Sequence, residues 1–212
     1  MRYAIASAIL FSFFIILSFL IVSNNNELTK WDNSTFEVLN NPHGKIVNKV
    51  MIDLTKYGRE VVWIAVIALL VVFGKKDGRK VAILLTLTFL VLIPVGTILK
   101  DAIDRPRPVP LTEDHLLIKN DTDPSFPSGH ATIVSAGSAI LLLKFHRGKQ
   151  IIFSIILAIE SILVDYSRIY VGNHYPLDVL GGILLGTAFA SAIIASSKYL
   201  TPIFSRIDSM KR

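Results

Sequence analysis

The sequence predicts an all-α, polytopic membrane protein with six transmembrane helices and both termini on the cytoplasmic side. Three observations carry this reading. Hydrophobic residues fill 52% of the 212 positions and charged residues only 18%, too apolar a balance for a soluble domain of this size. The apolar residues gather in runs close to the ~20 residues that a helix needs to cross a bilayer. The Lys and Arg residues between those runs are dense in every second loop, the pattern of inward-facing loops.

The six runs cover about 3–23, 58–74, 80–99, 129–145, 150–166 and 178–197. The first is as long as a span and lacks a small-x-small cleavage site, so it reads as a retained helix rather than a signal peptide. The second and fifth are short or carry a charge, which leaves their ends soft by a few residues. Six spans leave no room for a separate soluble domain, so residues 1–212 read as one unit. Arg2 precedes the first run; Lys75, Lys76, Arg79 and Lys80 lie between the second and third. Lys144, Arg147 and Lys149 lie between the fourth and fifth, and Lys198, Arg206, Lys211 and Arg212 follow the sixth. Only Asp77 and Asp208 oppose them there, which marks this face as cytoplasmic. The net charge of +6 therefore belongs to a membrane face, and no nucleic-acid partner is expected. The opposite face receives 24–57, 100–128 and 167–177, where Glu27, Asp32, Glu37, Asp114 and Asp123 balance the bases. The chain has no cysteine, which excludes disulfides and thiolate metal sites.

Two outer segments have a character of their own. Between the first two spans, Ile46, Val47, Val50, Met51 and Leu54 recur at helical spacing, opposite Lys45, Asn48, Lys49, Asp53 and Lys56. This predicts an interfacial helical segment over about 34–57, either packed on the bundle or placed at a lipid entrance. The loop 100–128 carries Pro106, Pro108, Pro110, Pro124 and Pro127, so its backbone is expected to be fixed. It ends in Pro127-Ser128-Gly129-His130, where Ser128 suits an N-cap before an apolar helix. The loop 167–177 likewise leads into Pro176 and Asp178, residues suited to a first helical turn.

Three clusters carry the chemistry. They are Lys100 with Arg107-Pro108, then Pro127-Ser128-Gly129-His130, then Ser167-Arg168 followed by His174 and Asp178. Topology puts all three on the non-cytoplasmic face. Lys100, Arg107 and Arg168 supply three positive charges at reduced dielectric, the complement of a phosphate whose oxygens gain charge under attack. The arginine fork matches phosphate oxygens. The helix start at Ser128-Gly129 presents unpaired N–H groups, and glycine lets an anion approach the backbone. With that much positive field, no metal and no other cofactor is called for. His174 and Asp178 stand four apart and can pair across one turn. The carboxylate then fixes the imidazole tautomer and frees the other nitrogen to attack. His130 remains as general acid for the leaving oxygen, a role that contributes typically ~10²–10⁴-fold.

These clusters resemble the signature of the type 2 phosphatidic acid phosphatase family: Lys-x6-Arg-Pro, Pro-Ser-Gly-His and Ser-Arg-x5-His-x3-Asp, in the same order. The six-span plan extends the similarity over most of the chain. The resemblance implies a membrane-embedded lipid phosphatase domain with a catalytic outer loop 100–128. It implies His174 as nucleophile, Asp178 as its partner and His130 as acid, with Lys100, Arg107, Ser128, Gly129 and Arg168 as the phosphate cradle. The expected activity is metal-independent hydrolysis of a membrane lipid phosphate or diphosphate through a phosphohistidine. Phosphatidic acid, phosphatidylglycerol phosphate and polyprenyl diphosphates all stay open as substrates, and oligomeric state is left open too. The expected location is the cell membrane, with the site on the extracytoplasmic face. Two alternatives stand beside this: a phosphatase for a soluble ester such as a sugar phosphate, and a non-catalytic protein that binds or transports a lipid phosphate.

Several residues fall outside the signature. Arg105-Pro106 is a second Arg-Pro pair whose spacing from Lys100 does not match, which gives it a lesser role. His43, His115 and His146 have no matching partners and read as solvated. Glu160 falls in the fifth span, where an acid is costly and faces the bundle interior; it is expected to be protonated or bonded to a serine on a neighbouring span. Asp165 is expected to pair with Arg168 or Arg105. Gly181, Gly182 and Gly186 suit close helix packing in the sixth span.

Overall fold

In the computed structural model, nine α-helices follow one another among the described residues, which are 1–42, 44–109, 112, 115–119 and 121–209. His43, Pro110, Asp114, Lys211 and Arg212 of the sequence reading lie outside them. The helices are α1 (Arg2–Val22), α2 (Asn26–Leu39), α3 (Gly44–Tyr57), α4 (Glu60–Phe73) and α5 (Lys75–Ile103). They continue with α6 (Gly129–Lys144), α7 (Gln150–Tyr170), α8 (Pro176–Ser196) and α9 (Thr201–Ser209), the last two joined by a 3-10 turn at Ser197–Leu200. All six predicted apolar runs are helical. Four stretches are long and apolar enough to cross a membrane: α1, α5, α7 and Pro176–Ser209. The helices α4 and α6 are apolar but shorter, about 21 and 24 Å at 1.5 Å per residue.

Local chemistry sets the boundaries. The Asn25 side chain accepts the Leu28 N–H at 3.0 Å and starts α2, a helix the sequence reading did not separate from the segment 34–57. That segment is two helices, divided before Gly44, whose φ of 77° begins α3. The helix α5 runs past its apolar core at both ends and stops where Asp104 adopts a left-handed conformation, two residues before Pro106. Ser128 caps α6 as expected, accepting the Ala131 N–H at 3.5 Å, and Pro176 opens α8.

The helix α6 sits at the centre, against α8, α7 and α5; α1 lies on α8, and α4 lies beside α5. The run from Ala131 to Ser138 is buried throughout. Close contact of α6 with α8 depends on glycine, as predicted. A Cβ at Gly182 would fall 2.6 Å from the Ser128 carbonyl oxygen, and one at Gly186 would collide with that of Thr132. The outer surface is as apolar as the core: Ile9, Phe13 and Ile16 on α1, Leu90 and Ile93 on α5, and Ile155, Ile159 and Ile162 on α7 are exposed. Apolar surface on this scale suits a lipid environment rather than water.

Candidate active site

The three clusters meet at one end of the bundle. Lys100 closes α5, Ser128 and Gly129 open α6, Arg168 lies in the last turn of α7, and Asp178 lies in the first turn of α8. His174 sits in the short connection between α7 and α8, and Arg107 in the loop after α5. A backbone bond from the Ser128 N–H to the Asp178 carbonyl, 2.9 Å, ties the second cluster to the third.

His174 is 1% exposed, and its Nδ1 lies 3.4 Å from Oδ2 of the fully buried Asp178. The two groups stand within ion-pair distance across one helical turn, but the contact does not meet hydrogen-bond geometry. Its Nε2 lies 3.3 Å from an Arg107 Nη1. Burial holds the His174 pKa well below the usual imidazole value, and the charges of Arg168, Arg107 and Lys100 add to this. The ring is therefore neutral near pH 7, with one nitrogen toward a carboxylate and the other toward a cation. Asp178 has further partners: Oδ2 accepts the Tyr175 N–H at 2.9 Å and Oδ1 accepts from Arg105 at 2.5 Å.

Two loop acids hold the cations Lys100, Arg107 and Arg168. Asp123 accepts from Lys100 at 2.5 Å and from Arg107 at 2.6 Å, while Asp121 lies 3.2 Å from Arg168 and 3.5 Å from Arg107. Despite the opposing effect of burial, hydrogen bonds and charge from Lys100 and Arg107 lower the Asp123 carboxyl to about 2. Backbone carbonyls complete the shell, with Arg107 donating to Asn173 O at 2.9 Å and Lys100 to Pro124 O at 2.8 Å. Arg168 also donates to Thr55 at 3.2 Å.

Lys100, Gly129, His130 and His174 line the head of a cavity of about 860 Å³. Its far part is walled by Trp63, Ile64 and Ile67 of α4 and by Phe89, Leu92 and Ile93 of α5. The site thus joins a cationic, histidine-bearing head to an apolar gallery between two helices. A phosphate on an apolar chain fits both halves.

A family model for the PAP2 superfamily matches residues 79–202, a stretch that contains all three clusters. The chain belongs to the PAP2 superfamily. It is 42% identical over 165 residues to an undecaprenyl-diphosphatase of Sulfolobus acidocaldarius, covering 76% of this chain and 77% of the relative. It is 29% identical to the undecaprenyl-diphosphatase BcrC of Bacillus subtilis, covering 76% and 80%. Among solved structures, it is similar to a transmembrane PAP2-type phosphatidylglycerolphosphate phosphatase from Bacillus subtilis, with a TM-score of 0.70 and 25% identity, covering 92% of this chain and 96% of that one.

Around this PAP2 site, several residues matter that the sequence reading undervalued. Arg105, given a lesser role, bridges two buried carboxylates at 2.5 Å each: Asp178 and Asp32 of α2. Asp32 in turn accepts the Leu177 N–H at 2.9 Å, fixing the start of α8. Its other partners being taken, Arg105 is not available to Asp165, and Arg168 faces Asp121. Asp165 instead accepts from Ser135 at 3.4 Å, so neither arginine pairing expected for it forms. Glu160 lies beside Trp63 and Gly58 rather than a serine. His146 is exposed as expected, whereas His115 is half-buried and its carbonyl accepts from Asn40 at 2.9 Å.

Proposed function

We propose that this PAP2 protein is a lipid phosphate phosphatase that works through a phosphohistidine on His174. The observation that carries the reading is the His174–Asp178 pair, with Arg107 at the free nitrogen, at the head of a cavity whose far wall is apolar. Relatives named for hydrolysing undecaprenyl diphosphate and phosphatidylglycerol phosphate support it. Asp178 holds the imidazole with its Nε2 lone pair toward phosphorus. Lys100, Arg107, Arg168 and the α6 start at Ser128-Gly129 balance the charge on the oxygens of the five-coordinate state. The His174 Nε2–P bond forms as the P–O bond to the lipid breaks, and His130 protonates the departing oxygen. His130 then takes a proton from water as that water attacks the phosphohistidine, releasing phosphate. Because the cradle neutralises the phosphoryl group, the mechanism uses no metal.

In the membrane, α1, α4, α5, α6, α7 and α8 are the six spans. Both termini face the cytoplasm, and the site opens at the extracytoplasmic face of the cell membrane. The whole chain acts as a single domain, with α2 and α3 at the interface and the 100–128 loop as part of the catalytic head. The apolar gallery favours a lipid over a soluble sugar phosphate, and the His174–Asp178 pair favours turnover over binding alone. The test is phosphate release by detergent-purified protein with EDTA present, from phosphatidic acid, phosphatidylglycerol phosphate and a polyprenyl diphosphate. Release that persists in EDTA and drops to background in His174→Ala is expected. Full activity in His174→Ala would refute the mechanism, and activity abolished by EDTA would refute its metal independence.

A further inference from the structure

Arg59 stands where the phosphate head of the cavity meets its apolar gallery. It precedes α4 directly, and Trp63, Ile64 and Ile67 of the gallery follow on that helix. Its Nη1 lies 3.5 Å from His130 Nδ1 and 3.5 Å from the position a Cβ on Gly129 would take. The other edge of the guanidinium is held by Glu60, to which Nε donates at 2.6 Å and Nη2 also donates. Glu60 thus fixes the plane of the fork and turns the remaining nitrogen toward the acid of the site. Its side chain is 33% exposed, open enough to meet a ligand.

Lys100 and Arg107 lie on the side of His174, where the attacked phosphorus must sit, and Arg168 acts on both histidines, whereas Arg59 lies against His130, where the leaving group must be. In a lipid monophosphate the leaving atom is an alkoxide oxygen, which needs a proton and offers little lasting charge to an arginine. In a lipid diphosphate the leaving group is a second phosphate, with charged oxygens that match a guanidinium fork. We propose that Arg59 is the residue that selects a lipid diphosphate, by binding the phosphate next to the lipid chain. This rests on the phosphatase reading above and narrows it to an anhydride substrate. The His174 Nε2–P bond forms at the terminal phosphorus and the bond from that phosphorus to the bridging oxygen breaks. The electron pair stays on the bridging oxygen. The departing lipid monophosphate thereby gains one negative charge, and Arg59 neutralises it as it forms.

The test compares kcat/KM for a polyprenyl diphosphate and for phosphatidic acid in wild type, Arg59→Ala, Arg59→Lys and Glu60→Gln. In Arg59→Ala the diphosphate-to-monophosphate ratio is expected to fall about a hundredfold, the loss typical of removing one preorganised donor to developing charge. Arg59→Lys is expected to keep part of the preference, because the charge remains. Glu60→Gln is expected to lower the ratio by less than Arg59→Ala does, because it loosens the fork that Glu60 holds in place while the charge remains; an unchanged or raised ratio there would overturn the proposal even if Arg59→Ala does not fold. An unchanged ratio in Arg59→Ala, whether both activities fall together or neither falls, would overturn the proposal. Wild-type protein that hydrolyses phosphatidic acid but no diphosphate would overturn it while leaving the phosphatase reading intact. No release from either lipid would overturn both.

Discussion

Asp178 is approached from two sides, by the His174 imidazole 3.4 Å away and by an arginine that also serves a second buried acid. Arg105, Asp32 and Asp178 form a chain of charge with side chains 11%, 0% and 0% exposed. Removing the shared cation would strand two carboxylates away from water. Arg105→Ala is therefore expected to lose about 3–5 kcal/mol of stability, read as a lower thermal midpoint in detergent, and to lose activity because Asp178 shifts. His174 sets a pH expectation. Its folded pKa lies below the ~6.5 of an unfolded histidine. Folding therefore favours the neutral ring, and this contribution is present above ~6.5 and lost as pH falls through the folded value. The acid limb of kcat/KM assigned to this group is expected below pH ~6.5, and a limb above that value would contradict it. At this scale the eight candidate site residues were legible because the spacing of the signature that holds them is itself the signal. Asp32, Arg59 and Asp121 were not, because each comes from a segment with no local pattern that ties it to the others. Arg105 was undervalued for a physical reason: it reaches Asp178 and Asp32 behind His174 rather than the group of Lys100, Arg107 and Arg168.

Helices explain which parts of the fold the chain announces. Apolar runs marked each of the apolar helices α1 and α4 to α8, because lipid-facing and buried positions alike must be apolar. Ends were less legible: α5 extends from Lys75 to Ile103, well beyond the apolar run at 80–99, because polar residues at its ends continue the helix outside the apolar layer. The division of 34–57 into α2 and α3 follows the end of α2 at Asn40 and the left-handed Gly44 that begins α3, signals too local to outweigh an amphipathic pattern. Gly96 on α5 offers a test at this scale. It lines the cavity, and a Cβ built there meets nothing within 4 Å. Gly96→Phe is therefore expected to leave the thermal midpoint nearly unchanged while it fills the gallery. Turnover of a long-chain lipid phosphate is expected to fall by about tenfold or more, in line with a lost apolar site of one large side chain. Equal turnover by mutant and wild type would place the lipid chain elsewhere.

The whole molecule turns its polar chemistry to one end and its apolar surface to the sides. The order of the apolar runs along the chain carried the gathering of the three clusters at one end in advance, whereas the neighbours of each helix were not legible, since they depend on which small residues face which. The absence of cysteine makes the orientation directly measurable. Val109, 87% exposed in the loop beside the site, and the exposed Arg147 between α6 and α7 lie in opposite groups of loops. In intact cells Val109→Cys is expected to react with an impermeant maleimide, and Arg147→Cys only after permeabilisation. The reverse pattern would invert the proposed topology.

The pairing of Asp121 and Asp123 with Lys100, Arg107 and Arg168 has one more consequence. These cations carry their own counterions, so on the proposed reading a phosphate would not fall into an empty positive well but would trade places with carboxylates. Affinity then measures the difference between two anions. A singly charged ion gains little from such an exchange, while a phosphoryl group with several charged oxygens gains more. In the proposed reaction the same carboxylates would reclaim the cations after hydrolysis and so help inorganic phosphate to leave.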